Sequence, residues 1–174
     1  HNRVRKIYED REGDVWICTD HGINLYQKST GKLLNFIVYD KTGKYSTAWA
    51  YDILQDQKGR MWMASYQGGV FVLDKQRLLA AISLSSAATA TCVADHHFSD
   101  KGKNALSGLH IGQLVLDGKG MVWASSYNHL DRIDTRTLRI SHIPGNDAIN
   151  YLMTSGNGNV WVGYNASVKC FVVN

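Results

Sequence analysis

The sequence predicts an all-β chain of four-stranded antiparallel sheets arranged as β-propeller blades, about four of them, on three observations. A short context built around Trp recurs four times. The runs around each Trp have the period and composition of strands. No amphipathic run of helical length lies between them.

The four copies are Asp10-Arg11-Glu12-Gly13-Asp14-Val15-Trp16-Ile17, Asp56-Gln57-Lys58-Gly59-Arg60-Met61-Trp62-Met63, Asp117-Gly118-Lys119-Gly120-Met121-Val122-Trp123-Ala124 and Ser155-Gly156-Asn157-Gly158-Asn159-Val160-Trp161-Val162. Gly stands three residues before every Trp, and Asp stands six before three of them. Apolar residues recur six and three places before that Asp or its substitute Ser155: Val4 and Ile7, Ala50 and Ile53, Ile111 and Leu114, Ile149 and Leu152. The Trp residues are 46, 61 and 38 positions apart. A period near ~40 residues fits propeller blades and helical arrays alike. Enrichment in Val, Ile, Trp and Tyr between Gly, Asp and Asn decides for strands.

In the first unit the strands read Val4 to Glu9, Val15 to Thr19, Ile23 to Gln27 and Lys32 to Tyr39. Asp-x-x-Gly joins the first two, with Asp capping its own following amides and Gly taking a positive φ. A calcium loop is the rival reading, but the alternating carboxylates it needs are missing. Extending this unit along the chain gives blades near 1–44, 45–84, 104–145 and 146–174, with an insertion over 85–103 explaining the long spacing. Each repeated Trp sits mid-strand, where its face can pack between blades. Trp49 lies off the repeat and is expected to be exposed. Within the insertion, Cys92, Asp95, His96 and His97 could be weighed as a metal site. Adjacent histidines in one loop rarely chelate one ion, so a polar loop is expected and no metal is assigned.

Composition narrows the class without naming a function. A hydrophobic fraction of 44% and the single proline, Pro144, exclude disordered and low-complexity chains. No stretch approaches the ~18 apolar residues of a membrane helix. The chain starts at His1 with no charged n-region and no apolar h-region, so no signal peptide is expected in it. The net charge of +4 comes from scattered residues and reads as a solvated surface, with no nucleic-acid contact expected. Cys18, Cys92 and Cys170 lie far apart and suit neither a disulfide framework nor a zinc site. Cys18 and Cys170 are expected to be small core hydrophobes.

Asp10 to Tyr26, read as Asp-x-x-Gly-x-Val-Trp-Ile-x-Thr-x-x-Gly-Ile-x-x-Tyr, resembles the two-component regulator propeller repeat. Asn104 to Ile111 resembles the leader that precedes many such repeats. The later units depart from the pattern, with Ala64-Ser65 in the second and Ser155 for Asp in the fourth. The resemblance implies the periplasmic sensor region of a hybrid two-component protein anchored in the inner membrane. There, seven-bladed propellers precede a membrane helix, a histidine kinase and a DNA-binding output, and many such regions recognise glycan breakdown products. The chain opens directly on a first strand and ends after a third strand of the fourth unit, so an arc of a larger wheel is expected.

In propellers, the turns from second to third strand and the connections between blades share one end. Here those turns carry Asp20 and His21, Tyr66 and Gln67, Tyr127 and Asn128, and Tyr164 and Asn165. The connections add Trp49, together with Tyr45, Tyr51, His110 and Asn150. Aromatic faces stack on the C–H faces of sugars, while amides, Asp and His meet hydroxyls. These residues form the candidate oligosaccharide-binding face, set against the plain fact that Tyr and Asn are common at strand ends. Neighbouring blades and a second subunit in a homodimer are the other expected partners, and no cofactor is expected. Paired carboxylates, a nucleophile elbow and a P-loop are all missing, and Asp10, Asp56 and Asp117 are assigned to turns. The alternatives are a protein-interaction propeller or a fragment of a propeller-type carbohydrate-active enzyme.

Overall fold

The computed structural model describes residues 3–145 and 147–173. His1, Asn2, Asn146 and Asn174, which fall at predicted blade boundaries, lie outside the described residues. The first sheet is β1 (Val4–Glu9), β2 (Val15–Thr19), β3 (Gly22–Gln27) and β4 (Lys32–Tyr39), each antiparallel to the next. The second begins with β5 (Ala50–Gln55), β6 (Arg60–Ser65) and β7 (Gly69–Asp74). Residues between these and the third sheet form α1 (Lys75–Leu84), β8 (Ala90–Val93) and β9 (His96–Phe98). The third sheet is β10 (Gln113–Leu116), β11 (Met121–Ser126), β12 (His129–Asp134) and β13 (Ile140–Ile143). The fourth is β14 (Ile149–Thr154), β15 (Val160–Tyr164) and β16 (Val168–Phe171).

The Asp-x-x-Gly turns do more than reverse the chain. Asp10 Oδ1 accepts the amides of Glu12 and Asp14, both at 3.0 Å, and Oδ2 accepts the indole N–H of Trp16 at 2.7 Å. Asp56 does the same for Lys58, Arg60 and Trp62, with its indole bond at 2.8 Å. Asp117 repeats it for Lys119, Met121 and Trp123, again with 2.8 Å to the indole. Gly13, Gly59 and Gly120 take φ of 83°, 81° and 79°, the left-handed region that lets each turn close. One carboxylate thus fixes a turn and satisfies the only polar atom of a buried Trp. Ser155 instead uses its hydroxyl inside its own turn, on Asn157 and Asn159.

The blades pack face to face through the two sides of each central strand. Trp16, Ile23 and Leu25 meet Met61, Met63 and Phe71 across the first interface. Trp62, Val70 and Val72 meet Leu114, Val122 and Ile133 across the second. Trp123 and Leu130 meet Leu152, Val160 and Val162 across the third. Alternate residues of β6 therefore belong to different interfaces, and β6 and β11 are buried on both faces. Trp16, Trp62 and Trp123 are wholly shielded, as the repeat predicts. Trp161 is not: it stands 41% exposed on the outer face of the last sheet, beside Tyr151, Met153 and Val168. Cys170, expected in the core, is likewise exposed on β16, where it pairs with Trp161. No sheet covers that face among the described residues.

The stretch set aside as an insertion is woven into the blades. β9 supplies the fourth strand of the second sheet, antiparallel to β7. Before that, β8 joins the first sheet in parallel with β4, which makes that sheet five-stranded. α1 carries the chain between them, and the sequence reading missed it because its apolar face is so small. Leu78 and Ile82, one turn apart, are its buried hydrophobes, and Asp74 caps its first amides at 3.0 and 3.1 Å.

The third buried residue of α1 is Lys75. Its ammonium lies 2.6 Å from Asp10, 2.9 Å from Asp14 and 3.0 Å from Glu12, so the helix is pinned to the first Asp-x-x-Gly turn. Burial alone would lower the Lys75 pKa, but these carboxylates outweigh it and raise it. The Lys75 bond, with help from Gln55, holds the Glu12 carboxyl down at about 2.

Two measurements test this account. Asp117→Ala strands a buried indole N–H and two turn amides, and should cost about 2–3 kcal/mol in urea unfolding. Ser155→Ala, which abandons no indole, should cost less than about 1 kcal/mol. Glu12 stays ionised in the folded protein down to about pH 2, whereas the unfolded chain protonates it near 4.5. On acidification the unfolded state takes up that proton first, so stability falls as the pH drops through this window. Lys75→Met should lower neutral-pH stability by about 3 kcal/mol, by leaving buried carboxylates unpaired. It should also flatten the fall between pH 5 and 3, read from urea midpoints.

Candidate functional site

Three of the four blades begin with the same irregularity. The ladder slips one residue between Val4 and Lys6, between Ala50 and Asp52, and between Ile149 and Tyr151. Such bulges re-aim a side chain out of the sheet. The skipped residues are Arg5, Tyr51 and Asn150. Counted from the repeated Trp, the same place in the third blade is Gly112.

Three of these positions contact the residue fifteen places on, in the turn after the Trp strand, namely Asp20, Tyr66 and Asn165, and the residue fifteen places after Gly112 is Tyr127. The frame is constant and the chemistry changes from blade to blade. Arg5 donates to Asp20 at 2.8 and 3.2 Å. Tyr51 stacks on Tyr66 with ring centroids 5.5 Å apart. Asn150 donates to Asn165 at 2.9 Å. Gly112 offers Tyr127 no side chain, and a Cβ built there would meet nothing nearer than the Ser125 carbonyl at 4.0 Å.

A cavity of about 490 Å³ opens where that side chain is missing. Tyr51, Tyr66, His110, Gln113, Tyr127 and Asn150 line it. Tyr66 is the hub of its aromatic wall, 4.3 Å from the His110 ring and 5.3 Å from Trp49. The Arg5 guanidinium caps the far side, 4.6 Å from the Tyr51 ring. Tyr127 stands 79% exposed at the rim, on a turn with φ of 42°. Backbone bonds hold these loops in place: Tyr66 N–H to Trp49 at 2.9 Å, and Ile149 N–H to Tyr127 at 2.7 Å. Gln113 is fixed by accepting the Leu152 amide at 2.6 Å.

The residues singled out from sequence divide accordingly. Tyr66 and Tyr127 enter this cavity, with Trp49 tilted against Tyr66 and Asn165 bonded to Asn150 at its edge. Asp20, His21 and Trp49 line a neighbouring cavity of about 740 Å³, with Asn24 and Asn35. Its carboxylate is already engaged: the Arg5 bond above all, and then the charges of Arg5 and Arg3, hold Asp20 below the usual range. Gln67 and Asn128 line neither cavity. Tyr164 is turned aside, half-buried against the Trp123 cluster with Lys169 over its ring. Tyr45 also leaves the face and packs its ring against His97, 5.1 Å away. Gln113 and Gly112 were missed, because their significance lies in the bulge register and not in residue type.

Other chemistry-bearing groups have structural employment. Ser107, Asp131 and His142 come together, but Ser107 Oγ at 3.0 Å and Asp131 at 2.7 Å both contact His142 Nδ1. A hydrolytic relay needs the serine and the carboxylate on opposite ring nitrogens. Cys92, Asp95, His96 and His97 do not converge either. His97 bonds the Gly68 carbonyl at 2.6 Å, Asp95 pairs with Arg77, and burial pushes the Cys92 thiol up to about 11.

Comparison with known proteins identifies relatives of this frame. Residues 1–21 and 44–67 match the two-component regulator propeller family. The extracellular domain of the hybrid two-component system BT4673 from B. thetaiotaomicron is 35% identical, with a TM-score of 0.86, over 99% of this chain and 23% of that one. A second crystal structure of the BT4673 extracellular domain, described as a one-component system, gives 34% identity and a TM-score of 0.83 over 98% and 23%. The extracellular domain of BT3049 from the same organism shares the fold at 21% identity, with a TM-score of 0.70 over 97% of this chain and 21% of that one. The chain thus spans about a quarter of the length of the first two domains, 23% in each. No curated protein matches it.

Proposed function

We propose, from the premise that this chain is built of two-component regulator propeller repeats, that it is a ligand-sensing segment of a hybrid two-component signalling protein and that its ligand is an oligosaccharide. The observation that carries the reading is the cavity at Gly112, with a wall of stacked aromatic rings and polar groups converging from three blades. Tyr66 and Tyr127 would stack on the apolar faces of sugar rings, and His110, Gln113 and Asn150 would meet hydroxyls. Its relatives are extracellular domains, and we place this segment outside the cytoplasm, in the periplasm, with its histidine kinase and transcriptional output elsewhere in the same polypeptide.

Signalling then follows from linkage. A ligand shifts an assembly only by binding one of its arrangements more tightly than the other. The two arrangements we propose are packings of a homodimer, and the cavity, built from parts of three blades, would report their relative placement. The reading we propose is recognition without turnover.

Calorimetry with a panel of neutral oligosaccharides tests it. One member should bind, and Tyr66→Ala should weaken it about tenfold, equivalent to about 1.4 kcal/mol. Gly112→Leu should abolish binding while leaving the melting temperature unchanged, because its side chain enters open space. Silence towards the whole panel, with self-association through this face, would replace the reading with an interaction module. Release of shortened sugars would replace it with an enzyme.

A further inference from the structure

A third cavity lies away from the aromatic one. About 920 Å³ in volume, it is bounded by the residues after β4, the β8–β9 turn, the loop before β10 and the β12–β13 turn. It exists because the second blade is closed by β9 and not by a local hairpin. The chain leaving β9 must then cross to the third blade. Asn104 anchors that crossing on both of its amide atoms. Nδ2 donates to the Leu138 carbonyl at 2.8 Å, and Oδ1 accepts the Ile140 amide at 2.8 Å. Lys101, Lys103 and Arg139 are thereby set around one opening, with Lys41 arriving from the first blade.

The charges in this cleft are unbalanced in a specific way. Its two carboxylates are already used. Asp95 is paired with Arg77 and accepts the Asp74 amide at 2.9 Å. Asp40 accepts the Thr42 hydroxyl at 2.5 Å, the Thr42 amide at 3.1 Å and the Tyr45 amide at 2.8 Å. The Asp40 carboxyl is buried, yet these bonds hold it at about 2. Lys41, Lys101, Lys103 and Arg139, by contrast, make no ion pair among the described residues. The remaining titratable lining groups are His96, held below its usual value by burial and then by the charges of Arg60 and Lys41, and His97, whose ring bonds the Gly68 carbonyl at 2.6 Å. Asp100 lies in the same loop but outside the lining.

We propose that this cleft binds an oxyanion, a carboxylate or a sulfate ester carried on a ligand, at a site separate from the aromatic cavity. Four cations with no internal partner, facing a cavity whose own carboxylates are spent, form an electrostatic site for negative charge. Arg139 offers the fork that matches a planar or tetrahedral oxyanion, and the lysines add point charges around it.

Three probes separate the sources of such a group: inorganic sulfate, trigalacturonate and a sulfated disaccharide, each titrated calorimetrically at about 0.02 M and about 0.15 M salt. At least one probe should bind at low salt and weaken severalfold at the higher concentration. Binding of sulfate alone would identify a free anion, and preference for either saccharide would identify a ligand-borne group. Arg139→Gln and the double change Lys101→Ala with Lys103→Ala should each weaken binding about tenfold. Both leave Asn104 and its backbone bonds intact, and the unchanged melting temperature checks this. Tyr66→Ala and Gly112→Leu should leave it unaltered, so failure of the aromatic site and failure of this one are told apart. No binding by any probe, or wild-type binding by the cleft variants, would overturn the proposal.

Discussion

The arc hangs on a single repeated contact, the hydrogen bond from a tryptophan indole to an aspartate six residues upstream. A ring the size of Trp suits the gap between two twisted sheets, but its N–H cannot be buried there unsatisfied. The Asp that would in any case close the preceding turn supplies the acceptor from below. Turn, strand register and inter-blade packing are fixed together, and none of the three survives the loss of the carboxylate unchanged. The first blade adds a further claim on the same atom, since Asp10 Oδ2 accepts both the Trp16 indole and the Lys75 ammonium. Where Ser155 replaces Asp, the Trp beside it lies on an uncovered face and the contact is dispensed with.

Much of this was legible before any coordinates. The Trp context, the alternation around it and the Asp-x-x-Gly turns are local signals, and they placed the strands of the first blade to within a residue. What escaped were features set by pairing at a distance. Nothing local in Ala90–Val93 says that it lies in parallel beside Lys32–Tyr39, and Lys75 reveals its role only once the turn at Asp10 is brought to it. The same holds for charge. Lys41, Lys101, Lys103 and Arg139 are scattered in sequence and share a cleft only because β9 closes the second blade.

The candidate binding face shows a similar division. Residue type singled out Tyr66, Tyr127 and Trp49, because rings at turns are conspicuous, and the structure gathers all three at one end of the blades. It could not separate them from Tyr164, Gln67 and Asn128, which occupy comparable sequence positions but do not line the aromatic cavity. The bulge decides the matter. It pairs one residue with another fifteen places on in three of the blades, as an ion pair, a ring stack or an amide pair, and the third blade leaves a gap, with Gly112 in the first place. A recognition surface of this kind can be rewritten one pair at a time, since neither member carries the blade's core.

The route of the chain through α1, β8 and β9 ties the first two blades to one another. Between β7 and its outer partner β9, the chain leaves the second blade, lies along the edge of the first and returns. One continuous segment therefore finishes both sheets, and it cannot be cut out or replaced by a short hairpin without altering the blade before it. The edge of β4, bare otherwise, is sealed against stray pairing by the segment that completes its neighbour.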